Sequence, residues 1–237
     1  MRGADCVSES AGSPLCLHAW VGAGPWRYHF AMDSLRAELA ALAARLIVED
    51  GLDYGSAKRK AAKRLLGGRV SHDLLPSNDE IEQQVREELA LFHANTQPTE
   101  LLRLRQAALA LMEEFAEFNP YLSGAVWNGT ATELSDLHLL LFTDDSKGVE
   151  IHCINRGLGY QVGMAPHYAG RGRVERLTLQ WPVQAAQTIP AHLSLYTEKD
   201  QRGVLLPDAQ GRTPRGTLST LRRLLAGQEQ SPENPTD

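Results

Sequence analysis

The sequence predicts an α+β protein: a helical N-terminal region followed by a mixed β-sheet with flanking helices. Two observations carry this. Apolar residues recur at helical spacing from Asp33 to Glu117, and after Asn119-Pro120 the period shortens to that of strands. A third sets the scale: 237 residues, 43% of them hydrophobic, can bury one core, or one core plus a helical annex. The expected division is an extension over 1–31, disordered or over-read, a helical region over 32–117, an α/β core with its C-terminal helix over 118–227, and a disordered tail over 228–237.

Residues 1–31 mix Gly, Ser, Pro and Trp without a period, and Pro14 and Pro25 are expected to break any helix. No basic segment leads into an apolar run there, so no signal peptide is expected. Met32 directly precedes a helix start, where Asp33 or Ser34 can cap and Leu35, Leu39, Leu42 and Leu46 follow. The native chain is expected to begin at Met32. This first helix ends near Asp50-Gly51. A second begins after Gly55-Ser56, stops at Gly67-Gly68, and has a basic surface over Lys58 to Arg64. That surface lacks interleaved aromatics and reads as a solvated face. A third helix opens with the capping-box spacing Ser77 to Glu80 and buries Ile81, Val85, Leu89 and Phe92. A fourth has Pro98 in its first turn and an apolar stripe from Leu101 to Phe115.

Beyond Pro120, strands are expected at about 122–128, 137–143, 158–163, 174–181 and 189–197. Ser146 can cap a short helix that Gly157 ends, and a hairpin turns at Gln184-Ala185-Ala186. A last helix starts at Thr217 and puts Leu218, Leu221, Leu224 and Leu225 on one face.

Composition excludes several classes. The net charge of -5 argues against a nucleic-acid coat or a membrane-surface protein. No apolar run is long enough to span a bilayer. Cys6, Cys16 and Cys153 have no metal-ligand spacing, so a reduced, cytoplasmic protein is expected. Cys153 reads as packing, and Trp127 and Trp181 as core or pocket walls.

The stretch with chemical content is Tyr121 to Phe142. An apolar run meets a turn holding Gly124 and Gly129, and Ser135-Asp136-Leu137-His138-Leu139 opens a second apolar run. Residues i and i+2 of a strand point to one face, so Asp136 and His138 are set side by side. Taken alone, Asp136 is a turn acid and His138 a half-buried strand histidine.

From Gly124 to Leu139 the spacing resembles the signature of the nucleotidyltransferase superfamily, the polymerase β-like and minimal nucleotidyltransferases. There a Gly-Ser turn and a second Gly precede Ser-Asp-x-Asp on a strand. The resemblance implies a metal site at Asp136 and His138, completed by a residue of a later strand. His192 or Ser194 stands in that place, with Glu175 as another candidate. It also implies nucleotide binding by Gly124, Ala125, Gly129 and Thr130. Independently, Arg171 and Arg173 on a glycine-rich loop suit a phosphate clamp if that loop folds over the Gly124–Gly129 turn, and otherwise read as a plain exposed connection. The implied cofactor is a divalent metal, Mg or Mn, or Zn given His138. The implied partner is a nucleoside triphosphate whose monophosphate passes to an acceptor hydroxyl, and nucleic acid is not favoured. Ala125 lacks the expected hydroxyl and His138 replaces the second carboxylate. The alternative is therefore a catalytically degenerate binding or regulatory module.

Overall fold

The computed structural model describes residues 25–68, 71–183, 187–208 and 211–229. The expectations for residues 1–24 and 230–237, for Cys6 and Cys16, and for the turn residues 184–186 lie outside these.

The first helix, α1 (Pro25–Asp50), begins earlier than the expected cap at Asp33 or Ser34. Pro25 opens the helix instead of breaking it, because a first-turn proline lacks only an N–H that has no intrahelical partner anyway. Helix α2 (Tyr54–Leu66) is capped by Asp53, whose Oδ1 accepts from Gly55 N at 2.9 Å and Ser56 N at 3.1 Å. Its start is therefore Asp53, ahead of the expected Gly55-Ser56. It ends at Gly67, in the left-handed region at φ 71°. In α3 (Asn78–Phe92) the expected capping box is present. Ser77 Oγ accepts from Glu80 N at 3.1 Å, and Ser77 N donates to Glu80 Oε2 at 2.6 Å.

These three helices share one core. Ala43, Ala44, Ala57 and Ala61 are buried in it beside Leu39, Ile81 and Val85. The alanines let the helix backbones approach closely. The fourth helix, α4 (Gln97–Glu114), packs elsewhere. Its Leu104, Ala108, Leu111 and Met112 lie in a second core with the sheet, so the apolar packing boundary falls before α4, not after it.

The sheet contains β1 (Pro120–Ser123), β2 (Leu137–Phe142), β3 (Tyr160–Pro166), β4 (Arg173–Pro182), β5 (Thr188–Tyr196) and β6 (Arg215–Thr217), in the order β3-β4-β5-β2-β1-β6. Strands β2 and β5 are parallel, and every other neighbouring pair is antiparallel. The strand expected over 122–128 stops at Ser123. Gly124, at φ 74°, turns the chain into the short helix α5 (Gly124–Asn128). The expected helix α6 (Ser146–Asn155) is capped by Asp145 rather than Ser146, the Asp145 carboxylate accepting from Gly148 N at 2.8 Å. Val183 N donates to Gln187 O at 2.9 Å and closes the β4–β5 hairpin. The three-residue β6 was not anticipated. It leads directly into α7 (Leu218–Glu229).

Strand alternation gives the sheet two unlike faces. Leu122, Leu139, Leu141, Leu177, Leu193 and Leu195 lie against α4, α6 and α7. The opposite face is closed at its far end, where Leu140, Phe142, Tyr196 and Val204 form a small cluster with Tyr168, and where Gln201, in a 3-10 turn over Glu198–Gln201, donates to the Tyr121 hydroxyl at 2.9 Å.

Candidate functional site

Strand register assembles a polar row on the open face. Ser123 of β1 lies opposite His138 of β2, His138 opposite His192 of β5, and His192 opposite Thr178 of β4. Directly opposed residues project from the same face of a sheet, so the four side chains stand side by side. Asp136, two residues before His138, joins them at the mouth of β2.

His192 is held at both ring nitrogens. Its Nε2 lies 3.0 Å from Asp136 Oδ2, and its Nδ1 lies 3.0 Å from Thr178 Oγ1. An ionised carboxylate only accepts, so in the neutral ring Nε2–H donates to Asp136 and Nδ1 accepts from the Thr178 hydroxyl. The His138 ring stacks on that of His192, with centroids 4.8 Å apart and an interplanar angle of 24°. Burial pushes the His138 imidazole down to about 4, and the neighbouring His192 and Arg176 push in the same direction against Asp136. His138 is therefore neutral at pH 7, with a ring lone pair to offer.

Gly124 makes this arrangement possible in two ways. Its φ of 74° suits glycine, and a Cβ there would stand 3.3 Å from His138 Cδ2. Ser123 Oγ donates to the His138 carbonyl at 3.3 Å and ties the end of β1 to β2. Ala125 follows in α5, half-buried against the second core, with no hydroxyl to offer.

Other expected site residues lie elsewhere. Gly129 and Thr130 are at the far end of α5, facing the N-terminal helices. Gln97 Nε2 donates to Gly129 O at 3.0 Å, and Thr130 is buried, its side chain hydrogen-bonded to Tyr54. Arg171 and Arg173 sit at the β3–β4 hairpin, at the other end of the sheet from Asp136. Arg173 is five positions before Thr178 on β4, about 17 Å of extended strand. There Arg171 Nη1 lies 3.7 Å from Asp200 Oδ1, and Arg173 Nη2 donates to Met164 O at 3.1 Å. They do not fold over Gly124. Glu175 alternates with Arg176 and Thr178 along β4 and so belongs to the other face. Of the candidates for a third ligand, His192 is the one that meets Asp136. Ser194 is on the same face, opposite Arg176.

One ligand atom each from Asp136, His138 and His192 can be chosen with all three within 4.8 Å of one another. Ligands around a four-coordinate ion, each about 2.0–2.1 Å from the metal, stand about 3.3 Å apart. The Asp136–His192 edge is already that short, and a modest turn of His138 would bring in the third. Two imidazoles and one carboxylate suit zinc or a manganese- or iron-like ion better than magnesium, which prefers an all-oxygen shell. Coordination through His192 Nε2 takes the other tautomer, with Nδ1–H donating to Thr178 Oγ1, a support that only strand pairing reveals.

Two clefts lie away from this site. One of about 740 Å³ runs between α1 and α3 past Arg36, Glu80 and Arg212. The other, of about 390 Å³, includes Glu82, Arg86, Trp127 and Arg212. Both are lined by groups that bridge the two cores. Glu82 accepts from Arg86 at 2.8 Å, Arg212 at 2.7 Å and Asn128 at 3.0 Å. On the Lys58–Arg64 surface Arg59, Lys63 and Arg64 are exposed, and Lys60 pairs with Asp50 at 2.7 Å. Cys153 is buried in the second core, and burial pushes its thiol up to about 11, so it packs rather than reacts. No helix among the described residues is long and apolar enough to cross a membrane.

The sequence matches no protein-family model and no curated protein.

Proposed function

We propose that this chain is a nucleotidyltransferase-like protein reduced to a binding module, which holds a single divalent ion at Asp136, His138 and His192 together with the phosphates of a nucleoside triphosphate. One observation carries the reading. Two residues spaced i and i+2 at the start of β2 converge with a third from the parallel neighbour β5.

Loss of transfer chemistry is part of the proposal. A two-metal clamp on attacking and leaving oxygens needs several carboxylates to hold both ions. Asp136 is the one carboxylate of the cluster, and Glu175 belongs to the other side of the sheet. A bound ion would supply Lewis-acid attraction for a phosphate oxygen. The protein's share is to keep His138 neutral, orient His192 through Thr178, and leave the face open to a ligand.

The test is a thermal-shift series with Zn²⁺, Mn²⁺ and Mg²⁺, each with and without a nucleoside triphosphate, since ligand stabilisation follows from mass action. Wild type should be stabilised by Zn²⁺ and Mn²⁺ more than by Mg²⁺, and Asp136→Ala and His192→Ala should lose the response. An unchanged response in both variants would remove the metal site. Pyrophosphate release that depends on Asp136 would overturn the claim of a binding module and restore a transferase.

A further inference from the structure

We infer that Arg176 is the anion-binding residue of the open sheet face, and that it grips a phosphate-type oxyanion shared with the metal ion at Asp136, His138 and His192. The inference rests on the metal reading above for the position of its partner, and on Arg176 itself for the rest.

Arg176 of β4 lies opposite Ser194, which is two residues beyond His192 on β5. It is also two residues before Thr178, and therefore on the same face as the polar row. Strand register sets it one pleat from the pair Thr178–His192. Its Nε is buried and has no hydrogen-bond partner. A buried donor left unpaired costs free energy, and such donors are uncommon in native proteins. A ligand that drew the guanidinium outward and accepted from it would remove that cost.

The second cation on this face is already committed. Arg215, opposite Ser123 on β6, donates from Nη1 to Val204 O at 3.2 Å, and its guanidinium stands 4.4 Å above the Tyr168 ring. Arg171 and Arg173 are at the distant hairpin. Arg176 is thus the guanidinium beside the cluster that has an unsatisfied donor.

Charge points to the class of ligand. A divalent ion, whose imidazole ligands bring no charge, and a guanidinium would face one carboxylate, which leaves an excess of positive charge on a half-buried surface. A tetrahedral oxyanion answers it, with one oxygen toward the metal and two toward the planar N–H fork of arginine. Ser194 and Thr178 border the same area with hydroxyls that suit the remaining oxygens. No bond forms or breaks.

The test uses the full chain loaded with Zn²⁺, with pyrophosphate and a nucleoside triphosphate as calorimetric titrants. Arg176→Gln should weaken both by about tenfold or more while Zn²⁺ affinity stays within about threefold. Arg176→Lys should fall between, because it keeps the charge and loses the fork. If Arg176→Gln is poorly folded, the lysine variant alone decides: wild-type affinity in it contradicts a fork-shaped contact. Tighter binding of the nucleoside triphosphate than of pyrophosphate would assign the phosphates to a nucleotide, and equal binding to a free phosphate ion. The Arg176 dependence is required in both cases. The same titration on metal-free protein separates the two proposals. If Zn²⁺ does not bind, the metal reading fails, yet a weaker pyrophosphate affinity that depends on Arg176 should persist. Pyrophosphate binding equal in wild type and Arg176→Gln overturns the inference whatever the metal does.

Discussion

The three N-terminal helices and the sheet each bury an apolar core, the sheet's the larger, but they finish their surfaces differently. Helices α1 to α3 close on one another around alanines, and their polar groups are spent on caps and ion pairs. Ser77 and Glu80 cap each other, and Arg36 then holds both Glu80 oxygens at 2.8 Å. The sheet closes on one side only. On its other side the polar groups face outward in a row, one of them with a buried unpaired donor. A region whose polar groups satisfy one another has little left for a ligand. A region that leaves a carboxylate, two imidazoles and a guanidinium together on an uncovered face has the means to bind one.

The largest effects should come from breaking each core in turn. Leu193→Ala and Leu39→Ala remove fully buried side chains from separate clusters and should each cost about 3 kcal/mol. In denaturant titrations followed by Zn²⁺ binding, Leu193→Ala should lose the ion at a lower denaturant concentration than Leu39→Ala. Equal loss in both would mean that the cores unfold as one. Next comes the link between them. Glu82→Ala leaves Arg86, Arg212 and Asn128 without their shared acceptor and should cost about 2 kcal/mol in equilibrium unfolding, since two of the partners remain partly solvated.

Smaller effects sharpen the description of the open face. Gly124→Ala forces a side chain into the left-handed region and against His138, so it should cost about 1–2 kcal/mol and weaken Zn²⁺ binding with it. Thr178→Val keeps the shape of the strand and removes the hydroxyl on His192. Calorimetry should find Zn²⁺ affinity about tenfold lower with the melting temperature nearly unchanged. Acid should separate the two regions most gently. His138 is depressed to about 4 from 6.5, so between those values the unfolded chain binds more protons than the folded one. The metal-free sheet should therefore lose stability as pH falls from 6.5 toward 4. Glu80 is depressed to about 2 from 4.5, chiefly by its hydrogen bond to Arg36, so its contribution is present above 4.5 and is lost as pH falls toward 2. Chemical-shift titration of His138 and Glu80 would check both windows.

Periodicity was enough to read the α+β class, the capping box at Ser77, a strand at about 137–143, one residue longer than observed, and the shared face of Asp136 and His138. These depend on neighbours in the chain. The turn at Gly124 was legible as a turn, but its helix was not, because four residues between two glycines carry too little pattern to outweigh an apolar, strand-like run. Thr178, Ser123 and Arg176 reach the site only through strand register, which no local signal in their own segments specifies. The same register moved Arg171 and Arg173 away: a flexible basic hairpin suits a phosphate clamp chemically, yet β4 carries it to the other end of the sheet. Gly129 and Thr130 fit the motif spacing but face the junction with the N-terminal helices.

The most direct test of the metal site is X-ray absorption at the zinc edge on Zn²⁺-loaded protein. The account predicts one ion per chain, with the scattering of two imidazoles at about 2.0 Å and a carboxylate oxygen beside them, and loss of the imidazole signature in the His138→Ala, His192→Ala double variant. A shell without imidazole, or one unchanged in the double variant, would contradict it.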